Sequence, residues 1–342
     1  MKKKSTKDLP KKTLSDVGER NFLQEIAYLV DNPVLRFNDD ASAIQLPDDN
    51  ILVINADMLV KRTDVLPGMT SEQMGRKAVT MSVSDIIAKG VKPIGCLASV
   101  AFPEDLEVDC AKKVIIGIKD QCDEYGIKYL GGDLNQGEDV IIDAISFGIS
   151  NKESIIPRLG ANVGDVLYTT GYFGLTKFGF SYLLENNPLP DELQSIVLES
   201  IYTPKAKIQY LSLFQKVKIK ICMDSSDGLF VTLNDLSKIN NMGIGITNLP
   251  IHPKLSNFLK QKDIKPTISF NPLDLVFSGG EEFELVFALS PKNESLLMQT
   301  AKELNLPLIK IGQFSDEFDD IQILHEDYKK YGFSKEGYEH FR

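Results

Sequence analysis

The stretch "TSEQMGRKAVTMSVSDIIAKG" (residues 70–90) constrains the fold of this 342-residue chain more than any other. Thr70 with Gln73 fits a capping box, and Gly90 followed by Pro93 marks an end, so one long helix is expected between them. Val79, Val83 and Ile86 line one face, while Met74, Ala78, Met81 and Asp85 line nearly the opposite one. A helix apolar on two faces is sandwiched between layers. The same arrangement pushes Asp85 toward the interior, where a carboxylate needs a partner.

The surroundings of that helix read as mixed α/β in both halves of the chain. "LSDVGERNFLQEIAYLV" is expected as a helix capped by Ser15 or Asp16, with Phe22, Ile26 and Leu29 as its apolar stripe. "ASAIQLPDDNILVINADML" reads as two strands around a turn at Pro47–Asn50, and "IGCLASVAF", "IKYL" and "DVIIDAISFGIS" as further strands. The loop-like "NKESIIPRLGANVGD" then marks a boundary. Beyond it, "VLYTTG" turns at "GYFG" into a helix, and the alternating "VKIKICM" (217–223) runs as a strand into "DSSDGL" and the helix "LFVTLNDL". The expected division is a basic, disordered tail at 1–14, an N-terminal domain at 15–150 and a C-terminal α/β domain at 151–342.

Composition narrows the function. A net charge of −10 argues against nucleic acid as the main partner, because binding a phosphate backbone needs a basic surface. Four cysteines without C-x-x-C spacing and only three histidines argue against a zinc site or a disulfide framework, and point to a reducing cytoplasm. No apolar run approaches the roughly 18 residues that span a membrane, and the six lysines of "MKKKSTKDLPKK" have no apolar segment behind them, unlike a signal peptide.

The acidic residues at element ends form a set: Asp40 in "FNDDAS", Asp57 in "NADML", Asp85 in "VSDII", Asp133 in "GGDLNQG", and Asp224 and Asp227 in "DSSDGL". Asp39 and Asp49 read as ordinary turn residues. All-oxygen ligation suits Mg²⁺, a hard cation that takes a few carboxylates together with substrate phosphates. The common nucleotide motifs are missing, both the phosphate-loop G-x-x-x-x-G-K-[ST] and G-x-G-x-x-G. In their place stand short glycine turns, "GGD", "GYFG" and "SGG", whose backbone N–H groups can approach phosphate oxygens.

Taken in order, "NDDAS", "NADMLV", "RKAVTMSVSDIIAKGVKP", "GGDLNQG", "GDVLYTTG", "DSSDGL" and "SGGEEFEL" resemble the thiamine-monophosphate kinase family of the aminoimidazole ribonucleotide synthetase superfamily, over nearly the whole chain. The resemblance implies a two-domain α/β fold, a homodimer paired through its N-terminal sheets, an ATP site in that half, and a C-terminal domain closing the cleft. It implies Mg²⁺ ligands at Asp40, Asn55, Ala56, Asp57, Asp85, Asp133, Asp224 and Asp227, with Asp85, Asp133 and Asp227 catalytic. Gly132, Arg158 and Ser226 match positions that contact ATP; Asp64, Glu281 and Tyr338 fall at the thiamine end. Arg158 also stands out unaided, as a guanidinium suited to forked phosphate contact in a glycine-flanked loop.

Three positions depart from the family pattern, and two of them lie on the substrate side. Asn55-Ala56 replaces a Ser/Thr pair, so a hydroxyl ligand is lost and Ala56 offers only its carbonyl. Asp64 stands where a histidine is common. Lys335 stands where an aromatic is common, with Phe333 or Tyr338 as its substitute.

The implied reaction takes ATP and thiamine monophosphate to ADP and thiamine diphosphate. Its nucleophile, a phosphate oxygen, is already ionised at neutral pH, so the scarcity of histidine is no obstacle. Two alternatives come from other classes: a different ATP-dependent member of the superfamily (aminoimidazole ribonucleotide synthetase, selenophosphate synthetase or a hydrogenase-maturation protein), or a non-catalytic nucleotide-binding subunit. The first 95 residues hold no cysteine, against selenophosphate synthetase, and the "YEHFR" end lacks the cysteine of the maturation protein.

Overall fold

The computed structural model describes residues 12–31, 34–260, 271–333 and 340–341. Its first sheet contains β1 (Ser42–Gln45), β2 (Asn50–Val60), β3 (Pro93–Phe102), β4 (Lys128–Tyr129), β5 (Leu134–Gln136) and β6 (Ile141–Asn151). They lie in the order β1-β2-β6-β3-β4, with β5 also on β3. β2 and β6 pair antiparallel along their full lengths, from Asn50 opposite Asn151 to Val60 opposite Ile141.

The second sheet contains β7 (Val166–Thr169), β8 (Ile221–Ser225), β9 (Gly243–Ile246), β10 (Glu284–Leu289), β11 (Ile309–Ser315) and β12 (Ile321–Ile323). Its order is β12-β9-β11-β7-β10-β8, antiparallel except for β12 on β9. Sheet membership changes between Asn151 and Val166, within the loop-like segment. Both sheets with their helices make the mixed α/β fold that the sequence implied.

The helix Ser71–Ala88 carries the expected capping box, Thr70 Oγ1 accepting from Gln73 N–H at 3.2 Å. It is covered on both faces. Val79 and Val83 share one core with Leu59 of β2, Ala98 of β3 and Leu285 and Phe287 of β10, so this helix joins the two sheets. Ile86 packs on Ala43, Ile51 and Val53 in a smaller cluster. A neighbouring helix, Val108–Glu124, crosses it where Gly75 meets the Val114 carbonyl; a Cβ there would lie 2.1 Å from that oxygen. The other face of the second sheet has its own core, built from Leu167, Val286, Ile311 and Phe314 against Leu229, Leu233 and Phe277.

Two local expectations are corrected. The first helix is broken: Leu14–Val17 and Glu19–Ile26 are separated by Gly18 at φ 77°, and Thr13 is the cap rather than Ser15 or Asp16. Its Phe22 and Leu29 remain exposed. The strand expected at 217–223 starts only at Ile221 and runs through Asp224 and Ser225, because pairing with β10 begins with Ile221 opposite Ala288. Among the described residues, no helix is long and apolar enough to cross a membrane.

Candidate active site

The site forms where the C-terminal turns of the Ser71–Ala88 helix meet the end of β8. Asp224 is the last residue but one of β8, and Ser84 of that helix donates to its Oδ2 at 2.7 Å. Asp85 is one residue further along the helix, and Asp40 lies in the turn before β1. One carboxylate oxygen from each of Asp40, Asp85 and Asp224 falls within 4.8 Å of the others. These three residues are remote in sequence and were singled out for their positions at element ends.

Their environments divide them. Burial and the facing carboxylates Asp224 and Asp40 push the Asp85 carboxyl well above its usual range. Burial, then Asp40, pushes Asp224 up to about 7. Asp40 goes the other way. Burial opposes its charge, yet Arg158 and Lys89 together hold it below the ordinary value. Arg158 Nε donates to Asp40 Oδ1 at 2.9 Å, and Lys89 Nζ sits 2.5 Å from Oδ2. Burial and like charges disfavour the ionised forms of Asp85 and Asp224, and neither forms an ion pair among the described residues, which is the condition a divalent ion relieves. The donor set is all oxygen, as Mg²⁺ requires.

Asn55 and Asp57 extend the cluster along β2. Asn55 Nδ2 donates to Asp85 Oδ2 at 2.7 Å and to the Asp40 carbonyl at 3.0 Å, which leaves its Oδ1 buried with no partner among the described residues. Burial and the nearby Asp64 and Asp227 push Asp57 up to about 6. Ala56 is exposed, and strand alternation puts its methyl on the opposite face. Asp227 lies past the end of β8, 3.7 Å from Arg20. Asp133 is exposed ahead of β5 and stands outside the triad.

The other sequence-derived positions are placed as follows. Gly132 packs on β3 so closely that a Cβ would lie 1.8 Å from the Ala98 carbonyl oxygen, so its residue type has a steric reason. Ser226 accepts through its carbonyl from Glu281 N–H at 2.6 Å, joining the "DSSDG" and "SGGEE" turns. Arg158 spends its fork on Asp40 and its remaining nitrogen on the Asn38 carbonyl at 3.0 Å. Asp64 is the last residue of the short helix Lys61–Asp64, and its Oδ2 turns back to accept from Val60 N–H at 2.6 Å. Phe333 packs on Phe277 and Phe230, with centroids 4.9 and 5.6 Å away. Tyr338 and Lys335 lie outside the described residues.

Sequence reasoning passed over two lysines. Lys89 is fully buried between Asp39, Asp40 and the Cys222 carbonyl, and Lys77 between Glu281 and the Asp64 carbonyl at 2.6 Å. Asp39 is therefore no plain turn residue: it pairs with Lys89 and accepts from Arg158 N–H at 3.0 Å. A signal was available, since both lysines sit in or just beyond a helix covered on two sides.

Residues 38–150 match the family described as AIR synthase related protein, N-terminal domain. The chain is 34% identical over 291 residues to a thiamine-monophosphate kinase of Nitrosopumilus maritimus, covering 85% of this chain and 89% of that one. It is 32% identical to the thiamine-monophosphate kinase of Pyrococcus horikoshii, over 80% and 82% of the two. The chain belongs to the thiamine-monophosphate kinase family. Its fold agrees with a solved structure described as AaThiL complexed with AMPPCP and TMP, at a TM-score of 0.80 and 26% identity over 97% of this chain and all of that one.

Proposed function

We propose that the protein is a kinase that transfers the γ-phosphoryl group of ATP to thiamine monophosphate, with Mg²⁺ held by Asp40, Asp85 and Asp224. The convergence of those three carboxylates carries the assignment of the metal; family membership supports the reaction. Asp57 and Asp227 stand at the margin of the same cluster, and the Asn55 Oδ1 offers a further oxygen.

The chemistry needs position and charge control more than proton transfer. At ~4 Å and an effective dielectric of about 20, two like charges repel by roughly 4 kcal/mol, and each unlike pair gains as much. Mg²⁺, when bound, neutralises the charge that develops on the transferred group. The chain's own residues prepare the place. Arg158 and Lys89 keep Asp40 ionised, Ser84 fixes the rotamer of Asp224, and Asn55 holds Asp85 against Asp40. The Ser226 turn, tied to Glu281, sets the nucleotide side against the thiamine side. Lys77, anchored by Glu281, puts a buried cation near the substrate end, where Asp64 keeps its side chain on its own backbone.

The reading extends to assembly and compartment. The outer face of the first sheet leaves Met58 and Ile149 at least half exposed, together with Ile44. A second copy pairing sheet on sheet would cover this face. Residues 15–150 would then form the nucleotide-binding and dimerising half and 151–342 the closing half. The cysteine pattern supports a cytoplasmic protein.

The deciding assay is thiamine diphosphate formation from thiamine monophosphate, ATP and Mg²⁺. Product is expected from the monophosphate and none from free thiamine. ADP release with no thiamine diphosphate would reject the assignment in favour of another superfamily substrate.

A further inference from the structure

A cavity of about 360 Å³ opens where β7 ends and β10 begins, between the helices Leu175–Glu185 and Asp191–Tyr202. It is separate from the carboxylate cluster. Glu281 turns toward Lys77, whereas the next residue, Glu282, turns toward Thr176 and lines the cavity.

We propose that this cavity binds a small protonated amine or amidine, about the size of one ring, with Glu282 and His252 as its hydrogen-bond acceptors. Two buried polar atoms in its wall have no partner among the described residues: Glu282 Oε2 and His252 Nδ1. Such atoms are rarely left alone in a native interior, and two in one wall point to a donor from outside. The neighbouring carboxylate does not compete for that role. Glu284 is satisfied by Lys207 Nζ at 2.8 Å and Thr170 Oγ1 at 2.5 Å.

The charge and shape agree. An anion entering would face the Glu282 carboxyl, and both lysines of the lining already hold carboxylates, Lys207 on Glu284 and Lys205 on Glu124 at 3.2 Å. Burial pushes the Glu282 carboxyl up to about 8, and a cation beside it would restore its ionised form. Tyr172 lies edge-on to His252 with ring centroids 5.8 Å apart, giving the wall a π surface suited to a flat cation. The volume stands at the lower end of small-molecule sites, roughly 300–1,000 Å³, which limits the ligand to one ring with its substituents.

The test uses the full-length protein with benzamidine as the probe, and benzoate and benzyl alcohol as anionic and neutral matches of the same size. Titration calorimetry is expected to give saturable binding of benzamidine alone. Glu282→Gln should weaken it by roughly tenfold or more, since a charge-assisted bond is lost, and His252→Phe should weaken it also. Thermal melting checks that each variant is folded, and His252→Phe decides the matter if Glu282→Gln is not. No saturable binding of benzamidine, equal binding of the three probes, or wild-type affinity in the folded variants would overturn the proposal. None of these outcomes bears on the kinase reading, whose readout is thiamine diphosphate.

Discussion

At the scale of single residues, the site is a balance between carboxylates that repel and cations that hold one of them charged. Asp85 forms no ion pair among the described residues; Asp224 and Asp40 are the charges that act on it most, and Asn55, a neutral amide, donates to it. Asp85→Asn should leave the fold intact, since an amide there removes repulsion, and should lower kcat by about 10²-fold or more, the scale seen when one charge-stabilising group is lost. Steady-state kinetics with circular dichroism check both halves of that expectation. Lys89 behaves oppositely. Its Nζ serves Asp39 and Asp40 in a fully buried position. Lys89→Met should cost about 3 kcal/mol of stability, because it removes the buried ammonium shared by Asp39 and Asp40 and leaves both to Arg158 as the remaining cation, measured by urea unfolding; an unchanged midpoint would show that the pairing is not structural.

At the scale of elements, the helix Ser71–Ala88 organises everything else, and most of it was legible in sequence. Its cap, its two apolar faces and the inward carboxylate all follow from residue spacing. The burial of Lys77 and Lys89 could be read from their place in or just beyond that helix, but their partners could not, since these lie 204 and 50 positions away. The late start of β8 was hidden for a different reason. "VKIKICM" alternates as a strand should, but the first backbone bond to β10 is from Lys220 N–H to the Ala288 carbonyl at 2.9 Å. Residue pairing starts with Ile221, so the residues before them have no partner strand among the described residues. Asp40, Asp85 and Asp224 could be suspected one by one, while their convergence needed the fold. The tight helix crossing gives a prediction at this scale. Gly75→Ala would drive a Cβ to 2.1 Å from the Val114 carbonyl oxygen, and neither backbone can yield without separating the helices. A loss of about 3 kcal/mol, the upper part of the overpacking range, is expected in thermal or urea unfolding; a variant as stable as the parent would mean that the crossing is loose.

At the scale of the whole molecule, metal-free stability should depend on pH with a definite sign. An acid whose folded pKa is raised favours the folded state while protonated, and that contribution is lost as pH rises through the folded value. Asp57, at about 6, and Asp224, at about 7, both do this. Asp40, held low, stays ionised throughout and adds no slope. The melting temperature of chelator-treated protein should therefore fall between pH 5 and pH 8, and added Mg²⁺ should raise it more at pH 8 than at pH 5. A flat profile would show that the carboxylates are not held together without metal. The exposed outer sheet face makes a separate claim on assembly: Met58→Asp, at its 52% exposed methionine, should shift a dimer toward monomer in sedimentation, with each protomer still folded.

Whether these scattered aspartates grip divalent ions so that two anions can meet is tested most directly by following thiamine diphosphate formation while Mg²⁺ is titrated, in the wild type and in Asp224→Asn. Product should require Mg²⁺ in the wild type, and the variant should need far more of the ion and plateau at a much lower rate. Turnover without Mg²⁺, or two superimposable titration curves, would contradict the assignment of Asp224 to the metal.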